Sequence, residues 1–385
     1  MKKIISSMLA AVFCLGLLAG CAGSPAAGTE PEVIETEMPA QETESVDIAA
    51  VLQEKKKIYD GQSTVMTVDG QDVNWDCYYY WLAKLLYSYA SQLGSLPEDY
   101  STPVLDGKSL GQVMTEEATT YSSYYAAAEV RARELGVSLT AEDEEEIQKS
   151  YDTSCEAAGG EDVFLKTLEG SLLTKESYLY FLRTSKLAAR VMDKLYGPEG
   201  EKVSEADAAA WAAEKNEVRV KHILLSTKNE DSSAMSDEEK AAVLAEAEGY
   251  LRELRALEND REALEARFDE LMEAHSSDPG LAYYPDGYIF TTGEMVAEFE
   301  EAAFALEPYG LSQVVESSHG YHILLRLPMD LDAVAGVDNT TAQSYTLRQQ
   351  LRDDLFYEEC SRWAEEAEIL WSDEFAAFDM DEFMA

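Results

Sequence analysis

The 385-residue chain has few basic residues for its length. It carries 30 Lys and Arg against 75 Asp and Glu, which gives a formal net charge of −45 at pH 7. Nucleic acid and anionic lipid would both repel such a chain, so neither is expected to bind it directly. The acidity is typical of a well-solvated surface, and the binding of cations in a wall-like matrix is the alternative interpretation.

Cysteine and histidine are also scarce, with five Cys and four His. Beyond the N-terminal segment only Cys77, Cys155 and Cys360 remain. Their scattered positions indicate neither a disulfide framework nor a zinc site, and the His spacings fit no common zinc pattern. We therefore expect free thiols, no metal and no other cofactor. Cys155 has no His near it in sequence, which favours a buried thiol over a nucleophile.

The N-terminal apolar run is short for a membrane helix. It extends from Ile4 to Leu18 after two Lys, which predicts a signal peptide over residues 1–20. Leu18-Ala-Gly-Cys21 resembles the lipobox of bacterial lipoproteins, whose Cys carries a diacylglycerol. The resemblance implies lipidation of Cys21 and a lipid-anchored location on the extracytoplasmic face of a bacterial cell membrane. The alternative is an ordinary signal peptide followed by a chance Cys.

Two segments have compositions that disfavour a folded core. Residues 21–50 contain three Pro, many Glu and no aromatic residue, Lys or Arg. This predicts a disordered acidic tether that spans about 30 Å on average. Residues 372–385 alternate acids with three Phe, and we predict a disordered acidic tail there. Peptide binding by these Phe residues is the alternative.

One tetrapeptide occurs twice. His-Ile-Leu-Leu is found at 222–225 and again at 322–325, each time in a β-branched and Leu-rich run of strand length. Two such strands lying side by side would bring His222 and His322 together. Between them, strand and helix patterns follow in the order βααβαββ, which indicates an α+β arrangement with an antiparallel sheet. The last of these helices is predicted from Gly293 to Phe304.

These elements carry an ordered series of short motifs. They are His-Ile-Leu-Leu, Ser-Ser-Asp, Gly-Glu-Met-Val-x-Glu-Phe-Glu-x-Ala-Ala-Phe, Ser-x-Val-Val-Glu-Ser and Gly-Tyr-His-Ile. No single motif is specific, but the set in this order resembles the parvulin family of peptidyl-prolyl isomerases. The resemblance implies a parvulin-like isomerase domain, with a small antiparallel sheet flanked by helices, over residues 213–330.

The flanking sequence is mainly helical. Ser63 to Val73 predicts two short strands joined by a tight Asp-Gly turn, and long helices follow it. Another helix is predicted from Tyr345 to Leu370. This layout resembles PrsA- and SurA-type extracytoplasmic foldases, in which the C-terminal helix packs on the N-terminal helices. The expected fold class is therefore α+β, with the parvulin-like domain inserted in a mainly α-helical SurA/PrsA-like chaperone domain built from residues 51–212 and 340–371.

The parvulin resemblance also implies a set of polar site residues. In that family two His, a Cys or Asp, and a Ser or Thr form a hydrogen-bonded group, which corresponds here to His222, His322, Asp278 and Ser317. An acid beside an imidazole orients the ring and sets its tautomer. The alternative is that the two His only satisfy each other as polar groups of the core. The other two His of the chain, at 275 and 319, are expected to be partly exposed.

The family's apolar slot for the proline ring is only partly matched. Of its Leu, Met and Phe, the last two correspond to Met295 and Phe299, which are four residues apart and predicted on one helix face. The alternative is that both are ordinary core residues. The family's Gly-Gly-Asp-Leu-Gly is replaced by Tyr284-Pro-Asp-Gly-Tyr288, so the Leu position is Gly287. We predict that Tyr288 or Phe290 fills the gap and contacts the substrate.

The implied reaction requires no nucleophile and no cofactor. No bond is broken in prolyl isomerisation, so the enzyme only has to bind the twisted amide more tightly than the planar forms. The resemblance implies a membrane-anchored peptidyl-prolyl cis–trans isomerase and foldase that assists the folding of secreted proteins. Its expected partners are unfolded or partly folded secreted polypeptides with X-Pro bonds. The alternative is a non-catalytic holdase chaperone with a degenerate parvulin domain.

Overall fold

The computed structural model describes residues 47–385 apart from 94, 98, 106, 230, 339, 340 and 342. The predicted signal peptide, Cys21 and most of the predicted tether lie outside the described residues. The chain folds as two compact units. The first contains the described residues up to Lys194 together with Phe356–Ala385, and the second contains Leu195–Leu355. In the part of the chain that the structure describes, no helix is long and apolar enough to cross a membrane.

The described elements make an α+β fold. In chain order the helices are α1 (Ile48–Lys56), α2 (Trp75–Leu93), α3 (Leu110–Glu134), α4 (Ala141–Ala158), α5 (Glu161–Gly170), α6 (Lys175–Tyr196), α7 (Glu205–Lys215), α8 (Asp237–Arg255), α9 (Arg261–His275), α10 (Ala297–Phe304), α11 (Leu347–Glu366) and α12 (Met380–Met384). The strands are β1 (Thr64–Val68), β2 (Gln71–Asn74), β3 (Pro103–Leu105), β4 (Lys108–Ser109), β5 (Val218–Ser226), β6 (Tyr288–Phe290), β7 (Val315–Glu316), β8 (Gly320–Leu327), β9 (Val334–Val337), β10 (Ser344–Thr346) and β11 (Ile369–Trp371).

The first unit is mainly helical, with a three-stranded sheet of order β11-β1-β2 and the two-stranded sheet β3-β4. The predicted Asp-Gly turn is confirmed between β1 and β2. Asp69 and Gly70 have φ angles of 48° and 77°, the left-handed conformation that two-residue hairpin loops require. Trp75 and Tyr79 follow on α2, and both are fully buried in the core of this unit.

The prediction of a disordered C-terminal tail is wrong. Phe375 is 1% exposed and packs on Trp75 with ring centroids 5.5 Å apart. The last residues form helix α12, where Phe383 is also buried. The Asp381 carboxylate accepts a hydrogen bond of 2.7 Å from the Tyr100 backbone N–H. Burial of the Phe rings offsets the entropy lost on ordering, and the acid-rich composition of the segment does not reveal that tertiary contact.

The predicted tether ends earlier than residue 50. Helix α1 begins at Ile48, and the Asp47 carboxylate caps it by accepting a 3.1 Å hydrogen bond from the Ala50 N–H. Leu52 is buried, and its carbonyl accepts a 2.7 Å hydrogen bond from the Tyr79 hydroxyl. These contacts anchor the first described helix in the first unit.

The second unit contains a four-stranded antiparallel sheet of order β6-β5-β8-β7. The predicted element order βααβαββ is confirmed, with α8 and α9 between β5 and β6 and α10 between β6 and β7. One face of the sheet packs against α8 and α9 through residues such as Ile223 and Phe268. The other face, which includes Val220 and Leu324, packs against Phe299 of α10.

The second unit is larger than the predicted domain of residues 213–330. Trp211 of α7 packs with Leu331 and with Leu347 and Leu351 of α11 in a separate small core. The Trp211 indole N–H donates a 3.2 Å hydrogen bond to Asp354. The first turns of α11 therefore belong to the second unit, whereas the helix ends in the first. The division predicted at residues 212 and 340 differs from this one because α7 buries its apolar face on α11.

Helix α10 is shorter than predicted. It begins at Ala297, so Met295 precedes the helix and does not share a helix face with Phe299. The N-cap residue Val296 has φ −64° and ψ 141°, an extended conformation that ends the helix at this point. Gly293 lies further toward the N-terminus in a left-handed conformation, with a φ of 94°. Its N–H donates a 2.6 Å hydrogen bond to the Glu300 carboxylate, which closes the turn onto the helix.

Candidate active site

The paired strands β5 and β8 bring His222 and His322 together. In their register His222 lies opposite Leu324 and His322 opposite Leu224, so both imidazoles are on the same face of the sheet as diagonal neighbours. The two Nδ1 atoms are 3.2 Å apart. Both residues are buried, at 8% and 3% exposure. The repeated tetrapeptide therefore leads to a hydrogen-bonded pair of buried imidazoles.

Asp278 is positioned by a loop that continues the hydrogen bonding of β5. Strand β6 pairs only with Val218–Val220, which leaves the later part of that strand edge open. The Leu224 N–H donates to the Ser276 hydroxyl (3.1 Å), and the Leu224 carbonyl accepts from the Ser277 N–H (2.8 Å). The next residue along the loop, Asp278, then lies with its Oδ2 3.0 Å from His222 Nε2.

Ser317 lies on the other side of the pair. It follows the short strand β7, and the turn to β8 is closed by a 2.9 Å hydrogen bond from its N–H to the Gly320 carbonyl. Its hydroxyl is 2.7 Å from His322 Nε2. A Cβ at Gly320 would overlap the Leu225 carbonyl, so this turn requires Gly at that position.

The four predicted polar residues therefore form one continuous chain. The contacts run from the Ser317 hydroxyl to His322 Nε2, from His322 Nδ1 to His222 Nδ1, and from His222 Nε2 to Asp278 Oδ2. The direction of each hydrogen bond depends on the tautomers of the two rings, and an ionised Asp278 accepts from the His222 Nε2–H. The structure thus brings together all four side chains that the parvulin resemblance implied.

Burial and the charges of neighbouring side chains shift the pKa values of His322 and Asp278. Burial, followed by the charges of His222 and His319, lowers the pKa of His322 to about 4. Burial alone would raise the pKa of Asp278, but the hydrogen bond and charge of His222, with further hydrogen bonds from Tyr288 and Gly280, outweigh it and lower this pKa to about 2. At neutral pH the site therefore holds a neutral His322 and an ionised Asp278.

An aromatic wall adjoins the polar chain. The Phe299 ring meets both imidazoles edge to face, with centroids 5.1 Å from His222 and 5.5 Å from His322. Met295 is partly buried and packs in the same cluster. Phe290 is 1% exposed and packs beneath Phe299, 5.8 Å between centroids. Phe299 is itself only 4% exposed, so burial does not separate the two rings, and substrate contact by Phe290 stays a prediction.

The altered loop explains the absence of the family's Leu. Gly287 has a φ of 95°, and a Cβ there would come within 2.9 Å of the Val220 carbonyl. A Leu at this position would be strained and would collide with β5. Tyr288 follows Gly287 and points its hydroxyl at Asp278, to which it donates a 2.8 Å hydrogen bond. Sequence reasoning assigned Tyr288 to the slot and missed this contact, although a Tyr in place of the family's final Gly was a visible signal.

The other two histidines lie outside this series of hydrogen-bonded side chains. His275 is exposed and stacks on Tyr250, and His319 is exposed in the turn after Ser317. Among the described residues no group of three or more His, Cys, Asp and Glu has a geometry that could hold a metal ion. Cys77, Cys155 and Cys360 are free and buried.

Comparisons with known proteins agree with this site. Residues 222–327 match the family model described as rotamase, PPIC-type PPIase domain. The foldase protein PrsA of Halalkalibacterium halodurans is 33% identical over 190 residues, which cover 47% of this chain and 50% of that protein. PrsA of Oceanobacillus iheyensis is 30% identical over 184 residues, covering 47% and 52%. The chain thus spans about half the length of the curated relatives it matches.

Solved structures give weaker similarity. The crystal structure of PrsA from Bacillus subtilis is 19% identical and covers 70% of this chain and 92% of that chain, with a TM-score of 0.24. PrsA from Bacillus cereus is 20% identical, covering 74% and 95%, with a TM-score of 0.25. Superpositions with scores this low carry no argument about geometry. The family match over the site itself identifies residues 222–327 as a PPIC-type, or parvulin-type, peptidyl-prolyl isomerase domain, and about half of the chain is similar in sequence to PrsA foldases.

Proposed function

We propose that this protein catalyses cis–trans isomerisation of X-Pro bonds in secreted polypeptides and so assists their folding outside the cytoplasm. The observation that carries the proposal is the unbroken hydrogen-bond chain from Ser317 to Asp278 beside the Phe299 ring. Similarity to PrsA foldases supports the assignment of the client class. The proposal includes a lipid anchor on Cys21, which rests on the lipobox-like sequence alone.

The geometry suits the chemistry of the reaction. Amide resonance sets a barrier of about 20 kcal/mol to rotation of the X-Pro bond. In the twisted amide that resonance is lost, so the nitrogen lone pair is localised and the carbonyl resembles a ketone. A site with fixed dipoles stabilises this state without the reorganisation that water would need. Phe299 and Met295 supply apolar surface for the ring, while Ser317, His322, His222 and Asp278 supply a fixed polar edge.

A second candidate function is favoured by a feature of the first unit. An open cleft of about 650 Å³ lies between α3 and the C-terminal segment. One wall carries aromatic residues, including Trp371, Phe375 and Phe378, and the other carries polar residues of α3, including Gln112, Thr115 and Thr119. Such a cleft could hold an extended polypeptide, which is the property that a holdase chaperone needs. In that case the second unit would contribute surface and no catalysis.

The two functions are separated by measuring both activities on one preparation of the full chain. Isomerase activity is measured by NMR exchange on X-Pro peptides and by a refolding reaction limited by proline isomerisation. Aggregation suppression is measured on an unfolded client. Ser317→Ala removes the hydroxyl that contacts His322, and Ser318→Ala is the matched control, because Ser318 is exposed and adjacent.

The isomerase proposal expects acceleration by the wild type and the control, with a loss in Ser317→Ala. A folded wild-type chain that accelerates none of several X-Pro peptides would refute it. Retained aggregation suppression in that same preparation would establish the holdase as the better account.

A further inference from the structure

Tyr288 contacts the carboxylate at the end of the polar side-chain series of the proposed site. Its hydroxyl donates a 2.8 Å hydrogen bond to Oδ2 of Asp278, the same oxygen that faces His222 Nε2 at 3.0 Å. We propose that Tyr288 is a positioning residue of the isomerase site, which locks the Asp278 carboxylate in the plane that holds His222. This inference rests on the proposed function and adds a fifth member to the polar chain.

The hydrogen bonds of the Asp278 carboxylate show why a further donor is needed to fix its orientation. Oδ1 accepts a 3.2 Å hydrogen bond from the Gly280 N–H, and Oδ2 accepts from His222 and Tyr288. The terminal torsion of an Asp side chain is broad, so a single strong partner on each oxygen leaves the plane of the group loosely defined. A second donor on Oδ2 restricts that rotation. Through Asp278 it also restricts the tautomer and ring orientation of His222.

The surrounding residues hold the Tyr288 phenol in place. Its hydroxyl rests against Gly280, where a Cβ would overlap it, so the absence of a side chain at this position creates the space. The ring packs on Tyr284 with centroids 4.9 Å apart and on His222 at 5.6 Å. The phenol is therefore fixed from three sides and is aimed at the carboxylate.

The phenol remains a donor over the whole working range of pH. Burial, and then the hydrogen bond to Asp278 and its charge, raise the pKa of Tyr288 well above its usual range. The proton stays on the phenol oxygen, and Asp278 is the acceptor. The parvulin motif has Gly at this position, so the contact is a feature of this chain's replacement of that motif by Tyr284-Pro-Asp-Gly-Tyr288.

The direct test is Tyr288→Phe in the full chain, with Tyr283→Phe as the matched control. Tyr283 belongs to the same loop but is 60% exposed. Loss of one hydrogen bond to a charged group should lower kcat/KM for X-Pro peptides about tenfold in Tyr288→Phe. The pKa of the Asp278 carboxyl, followed by NMR of Asp-labelled protein, should rise by about one unit. Tyr283→Phe should change neither quantity.

Gly280→Ala provides an independent variant that keeps the phenol. A methyl group at residue 280 should push the Tyr288 hydroxyl away from Asp278, and it should reproduce both effects. The double variant Gly280→Ala/Tyr288→Phe should lose little more than either single variant, because both remove the same hydrogen bond. Loss of kcat/KM in all three, with the Asp278 shift, supports the positioning role.

Two results would overturn the inference. One is a Tyr288→Phe protein that melts earlier than the wild type but keeps its kcat/KM and its Asp278 titration, which is the behaviour of a residue that only packs. The other is strict additivity of the two single variants. If the wild type itself lacks isomerase activity, the proposed function fails, whereas an active wild type with an unaffected Tyr288→Phe variant refutes the positioning role alone.

Discussion

Replacing Asp278 separates the contribution of its charge from that of its shape. Asp278→Asn keeps an oxygen that can accept from His222 but removes the negative charge, whereas Asp278→Ala removes both. In the Ala variant the His222 Nε2–H and the Tyr288 hydroxyl lose their shared acceptor at the edge of the sheet. We expect a roughly hundredfold loss of kcat/KM for Asp278→Ala, equivalent to about 3 kcal/mol, and a smaller loss for Asp278→Asn.

The same carboxylate should affect stability in a manner that depends on pH. The pKa of Asp278 is lowered from 3.8 to about 2 in the folded protein, which corresponds to about 2 kcal/mol of stability at neutral pH. The unfolded chain binds the proton more readily, so this contribution is fully present above the unfolded pKa near 4. It is lost as pH falls through the folded pKa near 2. Asp278→Asn should therefore be less stable than the wild type at pH 7, and the difference should shrink below pH 4.

The assays are denaturant unfolding at several pH values and kcat/KM with X-Pro peptides. Asp231→Asn is the control, because its carboxylate is exposed and accepts hydrogen bonds from Ser233 of its own loop. A stability difference for Asp278→Asn that stays constant from pH 7 to pH 3 would contradict the assigned ionisation. Full isomerase activity in Asp278→Ala would show that the carboxylate has no part in catalysis.

Three further predictions concern other parts of the chain. Phe375→Ala should destabilise the protein by about 3–5 kcal/mol, since it empties a fully buried site against Trp75; unchanged thermal unfolding would mean that the C-terminal segment is not part of the core. Because the pKa of His322 is lowered to about 4, its imidazole should stay neutral in NMR titrations from pH 8 to 5, and stability from this group should fall as pH drops from about 6.5 toward 4; protonation near pH 6.5 would refute the assigned burial. Cys21→Ser should release the protein from membranes into the medium, and sedimentation of that variant with membranes would exclude the lipid anchor.

Local patterns in the sequence were sufficient for the elements that carry the site. The repeated His-Ile-Leu-Leu predicted two strands, and their antiparallel register places His222 and His322 on one face. Three helices begin at capping boxes, in which the side chain of Ser204, Ser236 or Thr140 and an acid three residues later cap the first turn. Such elements can be read from the sequence because strand alternation and helix capping depend on residues within a few positions of one another.

What the sequence could not supply are contacts between distant residues. The C-terminal Phe residues order only because Trp75, some 300 positions earlier, offers a buried aromatic surface. Helix α7 joins the second unit because its Trp211 packs on α11. Met295 lies outside the observed helix because the backbone of Val296 is extended and the helix begins only at Ala297.

For Tyr288, too, the sequence determined one part of the result and the tertiary structure the other. Its position in the sequence indicated only that a large side chain replaces the family's Gly. The role of its hydroxyl depends on the turn from Asp278 to Gly280. Because Gly280 has no side chain, this turn leaves space for the phenol, whose hydroxyl donates to the Asp278 carboxylate. Hydrogen-bond direction and distance depend on the three-dimensional path of two loops, whereas the residue types and their spacing were already present in the sequence.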